Sequence, residues 1–413
     1  MHIVLLGDVG ILDDMIHIGD EAMFEEFASQ LRRRDATDIL SLSSNPAETA
    51  SRYGVSAVPS IGFHPASFAA SGADVRPLQE ERMRRVIEAA SGDAAALSDG
   101  DPAWEVIDAV RSADAVAVSG GGNMASIWPM HIFERATLAA LARVFAKPFV
   151  VSGQTIGPEL VGDDRRLVAE LLGSARLVGL RERASLALVH DLGVSGPGVV
   201  ATIDDASFLA DGDGDDGDDD AVAAPPYCSV TLAAHVGDSD RDAFAAGMAR
   251  LLDRIADETG LEIVFFAHFS ALGGGDERGD SLAHRRVIDR MTRPSRIERT
   301  TDSAAAARFA RGASLSVSSR YHPAVFAVAA GVPTIGIAVD DYTTVKLTGA
   351  LGNFGQTGVV RASDVIDGSA ADRAVEVWQT RDSIRAAWAA RIESVRAASV
   401  AWWDSVARAL AGR

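Results

Sequence analysis

The strongest constraint on the fold of this chain is an alternation of short apolar runs with helical patterns, which continues along most of the sequence. Each run is brief and apolar, and Gly, Ser or Asp follows it. This pattern is typical of βα units built around parallel sheets. In the first half the runs predict strands at 3–6, 115–119, 148–152, 177–180 and 199–201. In the second half they predict strands at 228–232, 263–266, 314–318 and 334–338.

The length of 413 residues exceeds what one hydrophobic core usually supports, so we expect two domains. The predicted divisions are an N-terminal parallel-sheet domain over 1–210, an acidic flexible linker over 211–226 and a C-terminal parallel-sheet domain over 227–370. Residues 371–413 are predicted to form one long helix that packs back across the domains, because apolar residues recur there at three- and four-residue steps. Two such domains that face a cleft bring the carboxyl ends of both sheets to one site.

The predicted linker contains the acidic run Asp211–Asp220, with seven Asp and no apolar residue. One interpretation is a calcium loop. An EF-hand loop that starts at Asp211 needs Gly at its sixth position and Glu at its twelfth, where this chain has Asp216 and Val222. The mismatch favours a solvated linker between domains.

Charge and composition exclude several classes of function. The chain has 39 basic and 58 acidic residues, a formal net charge of −19, which argues against nucleic acid or an anionic membrane surface as the main partner. The single Cys228 cannot form an internal disulfide, so a reducing compartment is expected. The longest apolar stretch, 323–339, is interrupted by Pro333 and is shorter than the ~20 residues of a membrane span. With no signal peptide at Met1, we predict a cytoplasmic protein, or one peripheral to the inner face of the membrane.

Two glycine-rich corners follow neighbouring predicted strands. The first contains Gly121, Gly122 and Asn123, and its glycines would let the backbone approach a ligand and present N–H groups to it. Its spacing matches neither a dinucleotide-binding fingerprint nor a P-loop, and a plain tight turn stays an equal alternative. The second corner, 152–158, contains Gln154. Two corners on adjacent strands favour a shared floor for a binding site.

Two arginines stand at predicted strand ends. Arg181 either pairs with nearby Glu182 or offers its planar fork to a carboxylate or phosphate. Arg320 precedes Pro323, which suits the first position of a helix and would make His322 the N-cap. A helix N-terminus beside an arginine is a ready anion site, and in an extended segment Arg320 and His322 point the same way. The alternative is that His322 only caps the helix.

Other candidates depend on the same strand-end argument. Lys346 follows the next strand and would reach the same cleft as Arg320, while His268 and His131 follow a strand and a glycine corner and could line it. No histidine pair has metal-ligand spacing, so we predict no catalytic metal. Covalent catalysis is unsupported, because there is no Gly-x-Ser-x-Gly elbow and Cys228 lies inside a predicted strand.

From its start to about residue 360, the chain resembles the polysaccharide pyruvyl transferase family. The order and spacing of several motifs carry this resemblance, with Tyr321 standing where the family usually has Leu. The motifs are Gly19-Asp20-Glu21-Ala22, Asp114 with 120–123, Gly153-Gln154 with Gly157-Pro158, Arg181 with Ser185, 204–208, and 319–322 through 330–333 to Lys346.

The resemblance implies an α/β fold with two Rossmann-like domains in a GT-B-like arrangement. It also implies transfer of a pyruvyl group from phosphoenolpyruvate to two hydroxyls of a sugar in an envelope or exopolysaccharide glycan, forming a ketal and releasing phosphate. Phosphoenolpyruvate would be a co-substrate, with no other cofactor. The roles expected are catalysis for His322 and Arg320, donor binding for Arg181, Arg320, Lys346, Gly121, Gly122 and Asn123, and acceptor binding for His268, His131, Tyr321 and Gln154. Lipid linkage of the acceptor and the oligomeric state stay open.

Two other functions remain as alternatives. A nucleotide-sugar glycosyltransferase on the same architecture would carry a Glu several residues before Gly331, to hold the ribose. Phe326 occupies that position, and no carboxylate occurs between His322 and Gly331. The second alternative is a non-catalytic member of the family that binds a saccharide or acts as an assembly partner.

Overall fold

A computed structural model of the chain describes residues 1–35, 38–63, 75–211, 225–274 and 277–413. The chain divides into two compact units. Unit 1 comprises Met1–Leu12, Met23–Asp205 and Ala398–Arg413, and unit 2 comprises Asp13–Ala22 and Ala206–Ala397. Each unit is therefore assembled from separate stretches of chain. Residues 212–224 of the predicted acidic linker lie outside the described residues.

Unit 1 contains a parallel sheet with the strand order β4-β3-β1-β5-β7-β8-β9, and β6 pairs with β7. The order reverses between β1 and β5, which creates a crevice outside the carboxyl ends of these two strands. The strands are β1 His2–Leu6, β3 Asp38–Ser43, β4 Ser56–Pro59, β5 Ala115–Val118, β6 Gly121–Met124, β7 Phe149–Ile156, β8 Leu177–Leu180 and β9 Val199–Ala201.

Helices cover both faces of this sheet, as the almost fully apolar sequences of β1, β5 and β8 require. The first and last helices of the chain, α1 and α16, each run from one unit into the other along the sequence. The helices of unit 1 are α1 Ile18–Arg32, α2 Pro46–Tyr53, α3 Arg76–Ala90, α4 Ala103–Ser112, α5 Pro129–Val144, α6 Asp163–Ser174, α7 Arg183–Asp191 and α16 Ile392–Leu410.

Unit 2 contains a second parallel sheet, with the order β13-β11-β10-β14-β15-β16. A separate antiparallel pair joins β2 to β12, with His17 opposite Phe269. This pair ties the early segment 13–22 to unit 2. The strands are β2 Met15–His17, β10 Tyr227–Thr231, β11 Glu262–Phe266, β12 Phe269–Ala271, β13 Ser295–Glu298, β14 Leu315–Ser318, β15 Thr334–Ala338 and β16 Val359–Arg361.

Among the helices of unit 2, α11 is buried along its whole length, and accordingly carries no charged side chain. It connects β14 to β15, so its N-terminus lies at the carboxyl end of β14. The helices are α8 Arg241–Thr259, α9 Asp280–Ile288, α10 Ser303–Gly312, α11 Tyr321–Ala329, α12 Asp341–Asn353, α13 Ala362–Asp367, α14 Ser369–Gln379 and α15 Arg381–Ala389.

The predicted long C-terminal helix is present as α16, but the residues before it form two shorter helices, α14 and α15. The chain turns at Thr380 and Ala390, between these helices. At the second turn, Trp388 donates a hydrogen bond from Nε1 to the carbonyl of Ala329, 3.0 Å away, and so packs α15 on the end of α11. The apolar period continues through both turns, which explains why the sequence pattern predicted one helix. No helix in the described ranges combines the length and apolar character of a membrane span.

Candidate functional site

The structure divides the predicted site residues between the two units. Unit 2 holds His268, Arg320, Tyr321, His322 and Lys346. Unit 1 holds Gly121, Gly122, Asn123, His131, Gln154 and Arg181.

In unit 2, the helix after β14 begins at Tyr321, and Arg320 is its N-cap. The expectation that His322 caps this helix is therefore wrong. Arg320 is extended, and the Ser318 hydroxyl accepts its N–H at 3.0 Å and donates to its carbonyl at 2.8 Å, which turns the chain into the helix two residues early. Pro323 is tolerated at the third helical position, because the first N–H groups of a helix have no partner within it.

The side chain of Arg320 forms a two-pronged ion pair with Asp280. Nε donates to Oδ2 at 2.9 Å and Nη2 to Oδ1 at 2.5 Å. Asp280 is fully buried at the start of α9 and also accepts the N–H of Phe269 at 2.9 Å. The pairing holds the guanidinium in one orientation and compensates its charge.

Lys346, Tyr321 and His322 form a contiguous group in unit 2. The Lys346 ammonium lies 5.0 Å from the centroid of the Tyr321 ring and 4.6 Å from that of Tyr342, and it donates a hydrogen bond to the Tyr342 hydroxyl at 3.1 Å. The Tyr321 and His322 rings meet edge to face with centroids 5.1 Å apart. The structure thus places an ammonium and an imidazole next to one phenol ring, at the N-terminus of α11.

The N-terminus of α1 packs directly against His322. A Cβ built on Gly19 would lie 2.0 Å from Nδ1 of the imidazole, so no side chain fits at this position without moving the ring. This close approach gives a physical reason for the glycine in the motif at 19–22. Sequence reasoning singled out that motif but did not connect it to His322.

Two further histidines lie near Arg320 in the core of unit 2. Burial, with a further contribution from Arg320, lowers the pKa of His268 well below its usual value. Burial also lowers the pKa of His284 to about 4. Nε2 of His284 accepts the N–H of Leu232 at 2.9 Å, so its proton is on Nδ1. Both imidazoles are therefore neutral at neutral pH.

In unit 1, Arg181 is buried at the end of β8 among acidic groups. Nη1 donates to Asp204 at 2.5 Å, and Nε donates to Thr155 at 2.8 Å and to Glu182 at 3.2 Å. Of the two interpretations of Arg181, pairing with Glu182 is observed, and Asp204 is an additional partner. The guanidinium joins the ends of three segments of unit 1.

The first glycine corner forms strand β6 rather than an open loop. Gly121 and Gly122 are buried in it, and the amide of Asn123 donates to Asp8 Oδ2 at 2.6 Å. Gln154 is fully buried on β7 and donates to the carbonyl of Ser119 at 2.5 Å. These residues therefore hold the carboxyl ends of β1, β5 and β7 together.

A buried carboxyl, Asp205, joins the two corners of unit 1. Its oxygens accept the hydroxyl of Ser152 at 2.7 Å and the N–H of Gly120 at 2.8 Å. Burial raises the pKa of Asp205 to about 7, and the neighbouring Asp204 adds to this effect. Asp205 thus titrates close to neutral pH.

His131 lies in a cavity of 130 Å³ at the carboxyl ends of β1 and β3, with Asp8 and Glu134. Nδ1 of His131 lies 3.2 Å from Oδ1 of Asp8, and the Arg135 guanidinium donates to Oδ2 of Asp8 at 2.6 Å. Burial alone would raise the pKa of Asp8, but the charges of Arg135 and His131 outweigh it and hold this pKa well below its usual value. Burial and the charge of Asp8 raise the pKa of Glu134.

Several of these residues were missed by sequence reasoning. Asp8 is the second residue after β1, and this position near the strand end was the signal that the sequence offered. Asp280 and Glu134 open or continue helices, where acidic residues are common, so nothing in the local sequence distinguishes them.

The sequence model of the family described as polysaccharide pyruvyl transferase matches residues 17–341. No curated protein matches the chain. Among solved structures, the UDP-GlcNAc 2-epimerase of Methanocaldococcus jannaschii has a TM-score of 0.56 at 11% identity, covering 91% of this chain and 92% of that one.

Two other solved structures show the same architecture. The UDP-GlcNAc 2-epimerase of Neisseria meningitidis, bound to UDP-GlcNAc, has a TM-score of 0.55 at 10% identity and covers 97% of this chain and 99% of that one. A calicheamicin glycosyltransferase has a TM-score of 0.54 at 15% identity and covers 99% of this chain and 98% of that one. At these identities the likeness concerns the fold, and it confirms the predicted GT-B-like α/β class.

Proposed function

Because the chain belongs to the polysaccharide pyruvyl transferase family, we propose that it transfers the pyruvyl group of phosphoenolpyruvate to two hydroxyls of a sugar in an envelope or extracellular glycan. The observation that carries this proposal is the grouping of Lys346, Tyr321 and His322 at the N-terminus of α11 in unit 2.

This group suits the donor because phosphoenolpyruvate carries a carboxylate and a phosphate. Lys346 supplies an ammonium, and the first N–H groups of α11 with the helix dipole favour an anion. Asp280 compensates the charge of Arg320. Arg320 therefore contributes oriented hydrogen-bond donors and little net positive charge. Arg181 is the least suited of the predicted donor residues, since Asp204 and Glu182 hold it.

His322 is the proposed acid–base group. In the first step, a sugar hydroxyl oxygen bonds to C2 of the enol and loses its proton, while C3 gains a proton and becomes a methyl group. In the second step, the other hydroxyl replaces phosphate at C2, and its proton leaves with the released ion. An imidazole can give or take a proton near neutral pH, which suits both steps.

The nucleotide-sugar alternative has less support. Phe326 is fully buried in α11, so the position where such an enzyme needs a ribose-binding carboxylate holds a core side chain. The solved epimerases and glycosyltransferase share the fold with this chain at identities too low to carry their substrates over.

The donor is tested by thermal shift, because a ligand that binds only the folded protein raises the melting temperature. The chain contains two lysines, which gives a matched pair of variants: Lys346→Met in the proposed site and Lys147→Met before β7. Phosphoenolpyruvate is expected to stabilise the wild type and Lys147→Met, and to have little effect on Lys346→Met. Stabilisation by a UDP- or GDP-sugar with none by phosphoenolpyruvate would overturn the proposal.

The catalytic role of His322 is tested separately from donor binding. His322→Ala is expected to keep the fold and lose phosphate release in the presence of glycan acceptors, by about 100-fold or more for an acid–base group. A variant within tenfold of wild-type activity would remove His322 from this role.

A further inference from the structure

We propose that the cavity of unit 1 at the carboxyl ends of β1, β3 and β4 binds one sugar ring, whose hydroxyls form hydrogen bonds with His131 and Glu134. This proposal rests on the function proposed above, because it assigns the acceptor sugar a place in unit 1. We call this cavity the β1 pocket. It is lined by Leu6, Gly7, Asp8, Val9, Gly10, Leu42, Ser44, Ser60, Phe63, Met130, His131 and Glu134.

The β1 pocket lies where a parallel sheet is expected to bind a ligand. Asp8 is the second residue after β1, and Asn123, which donates to it, belongs to β6 beyond the end of β5. The strand order reverses between β1 and β5, and the carboxyl ends at such a reversal form the usual binding crevice of an open α/β sheet.

The size and walls of the β1 pocket fit a single ring. Its volume of 130 Å³ is well below the roughly 300 Å³ at which pockets for drug-sized ligands begin, so a nucleotide-sugar does not fit within it. One part of the lining is apolar, with Leu42, Phe63 and Met130. The other part carries oxygen and nitrogen acceptors. A pyranose has the same two characters, an apolar C–H face and a rim of hydroxyl donors.

Nδ1 of His131 lies between a carboxylate and a guanidinium, and Nε2 is the other ring nitrogen. Asp8 is a stable anion, because Arg135 and Asn123 both donate to its Oδ2, and its Oδ1 faces Nδ1 of His131. Nδ1 also lies 3.3 Å from Nη1 of Arg135, so it accepts from Arg135 in the tautomer with the proton on Nε2 and donates to Asp8 in the other. None of the hydrogen bonds found in the described part of the chain uses Nε2 of His131.

The charge of the β1 pocket selects a neutral ligand that donates hydrogen bonds. Neither Lys nor Arg is among its lining residues, whereas Asp8 and Glu134 are, so a phosphate or carboxylate would meet like charge. The raised pKa of Glu134 reflects a carboxylate poorly solvated by its surroundings. Ligand hydroxyls would supply hydrogen bonds to it.

A metal ion is the competing occupant. One ligand atom each from Asp8, His131 and Glu134 lie within 4.8 Å of one another. However, the positive guanidinium of Arg135 lies 2.6 Å from Oδ2 of Asp8 and 3.3 Å from Nδ1 of His131. That fixed charge offsets one of the two carboxylates and so weakens the attraction of this cluster for a divalent cation.

The test is saturation-transfer NMR on the full chain, with methyl pyranosides of glucose, galactose, mannose and N-acetylglucosamine as probes. At least one pyranoside is expected to bind the wild type and the control His190→Ala, an exposed position on α7. His131→Ala is expected to weaken this binding about tenfold or more, the scale of a hydrogen bond in a charged network. Ser44→Trp, at the exposed rim of the β1 pocket, is expected to abolish it without touching the buried network.

Phosphoenolpyruvate thermal shifts on the same proteins separate this proposal from the proposed function. If His131→Ala and Ser44→Trp keep the phosphoenolpyruvate thermal shift and lose pyranoside binding, the result supports sugar binding in the β1 pocket. No pyranoside binding to the wild type, or equal binding to wild type and both variants, overturns it even if phosphoenolpyruvate binds. Zn²⁺ binding by calorimetry that His131→Ala removes, with sugar binding unchanged, also overturns it. Absence of any phosphoenolpyruvate shift in the wild type counts against the proposed function alone.

Discussion

His322 lies so close to the backbone of α1 that the identity of residue 19 determines where the imidazole can be. The 2.0 Å separation between a Cβ at Gly19 and Nδ1 is below any real contact, and the neighbouring atoms belong to a ring that cannot bend. Gly19 therefore acts on His322 as a positioning residue.

We predict that Gly19→Ala displaces His322 and lowers phosphate release by at least tenfold, while the protein stays folded. The matched control is Gly352→Ala in α12, where an added Cβ meets nothing within 4 Å. That control is expected to keep activity and gain up to about 1 kcal/mol of stability, since Ala favours a helix. Circular dichroism melting measures the stability of both variants, and a phosphate assay measures their activity. Equal activities would show that His322 tolerates the added methyl group.

Asp205 should make the stability of the protein depend on pH. Its pKa is about 7 in the folded state against 3.8 for an ordinary Asp, because burial disfavours its charge. Between these values the folded state binds more protons than the unfolded state, so the free energy of unfolding falls as pH rises. The expected loss is about 2 kcal/mol between pH 5 and pH 7.

Urea unfolding of the wild type and Asp205→Asn at pH 5, 6, 7 and 8 measures this contribution. The asparagine variant lacks the carboxyl and is expected to lose this part of the pH dependence. Parallel curves for the two proteins would mean that Asp205 titrates at its ordinary value.

Individual residues could be predicted from the sequence only where position along a strand reports function. Arg320, His322 and Lys346 follow predicted strands, and the structure places them in one region of unit 2. Asp280 pairs with Arg320 from 40 residues away, and this contact left no local signal. Its compensation of the Arg320 charge was therefore unforeseen.

At the scale of elements, α16 is a core component of unit 1. Trp402, Trp403, Val406 and Leu410 are buried on one face, in a cluster with Ile3, Leu5, Phe24 and Phe27. The Phe27 and Trp403 rings meet edge to face with centroids 5.2 Å apart, and Trp402 donates to Ser152 at 3.1 Å. The last helix thus completes the layer beside the first strand.

We predict that Trp403→Ala destabilises the protein by about 3–5 kcal/mol, the usual cost of deleting a buried aromatic ring. Val400→Ala is the matched control on the same helix, because Val400 is exposed, and its effect should stay within about 0.5 kcal/mol. Denaturant unfolding compares them. Similar small effects would show that α16 adds little to the core.

Element type was more predictable than element boundaries. The apolar runs at β1, β10 and β15 are strands as predicted, because a strand covered on both faces needs continuous apolar sequence. The polar edge strand β13 carries no such signal. The start of α11 was misplaced because Pro323 fits several positions of a first turn, and only the Ser318 hydrogen bonds determine which one it takes.

At the scale of the whole molecule, charge should influence how the proposed donor, phosphoenolpyruvate, reaches the protein. The chain carries a net charge of −19, while phosphoenolpyruvate is an anion. Distant acidic groups repel it most at low salt. The Debye length, over which this repulsion acts, is about 30 Å at 0.01 M salt and about 8 Å at 0.15 M.

We therefore predict that the association rate constant of phosphoenolpyruvate rises when KCl increases from about 0.01 M to about 0.15 M. Stopped-flow fluorescence measures this rate, with sucrose at matched osmolarity as the control for general solvent effects. A rate that falls steeply with salt would indicate that a local positive field dominates the approach.

The packing of α16 in the core of unit 1 has a consequence for biosynthesis. β1 is translated long before α16, yet residues of both elements belong to one hydrophobic cluster of unit 1. Until α16 has been translated, the nascent polypeptide presents an unfinished hydrophobic layer to its surroundings. Chaperone engagement until α16 docks is one way for a cell to shield this layer.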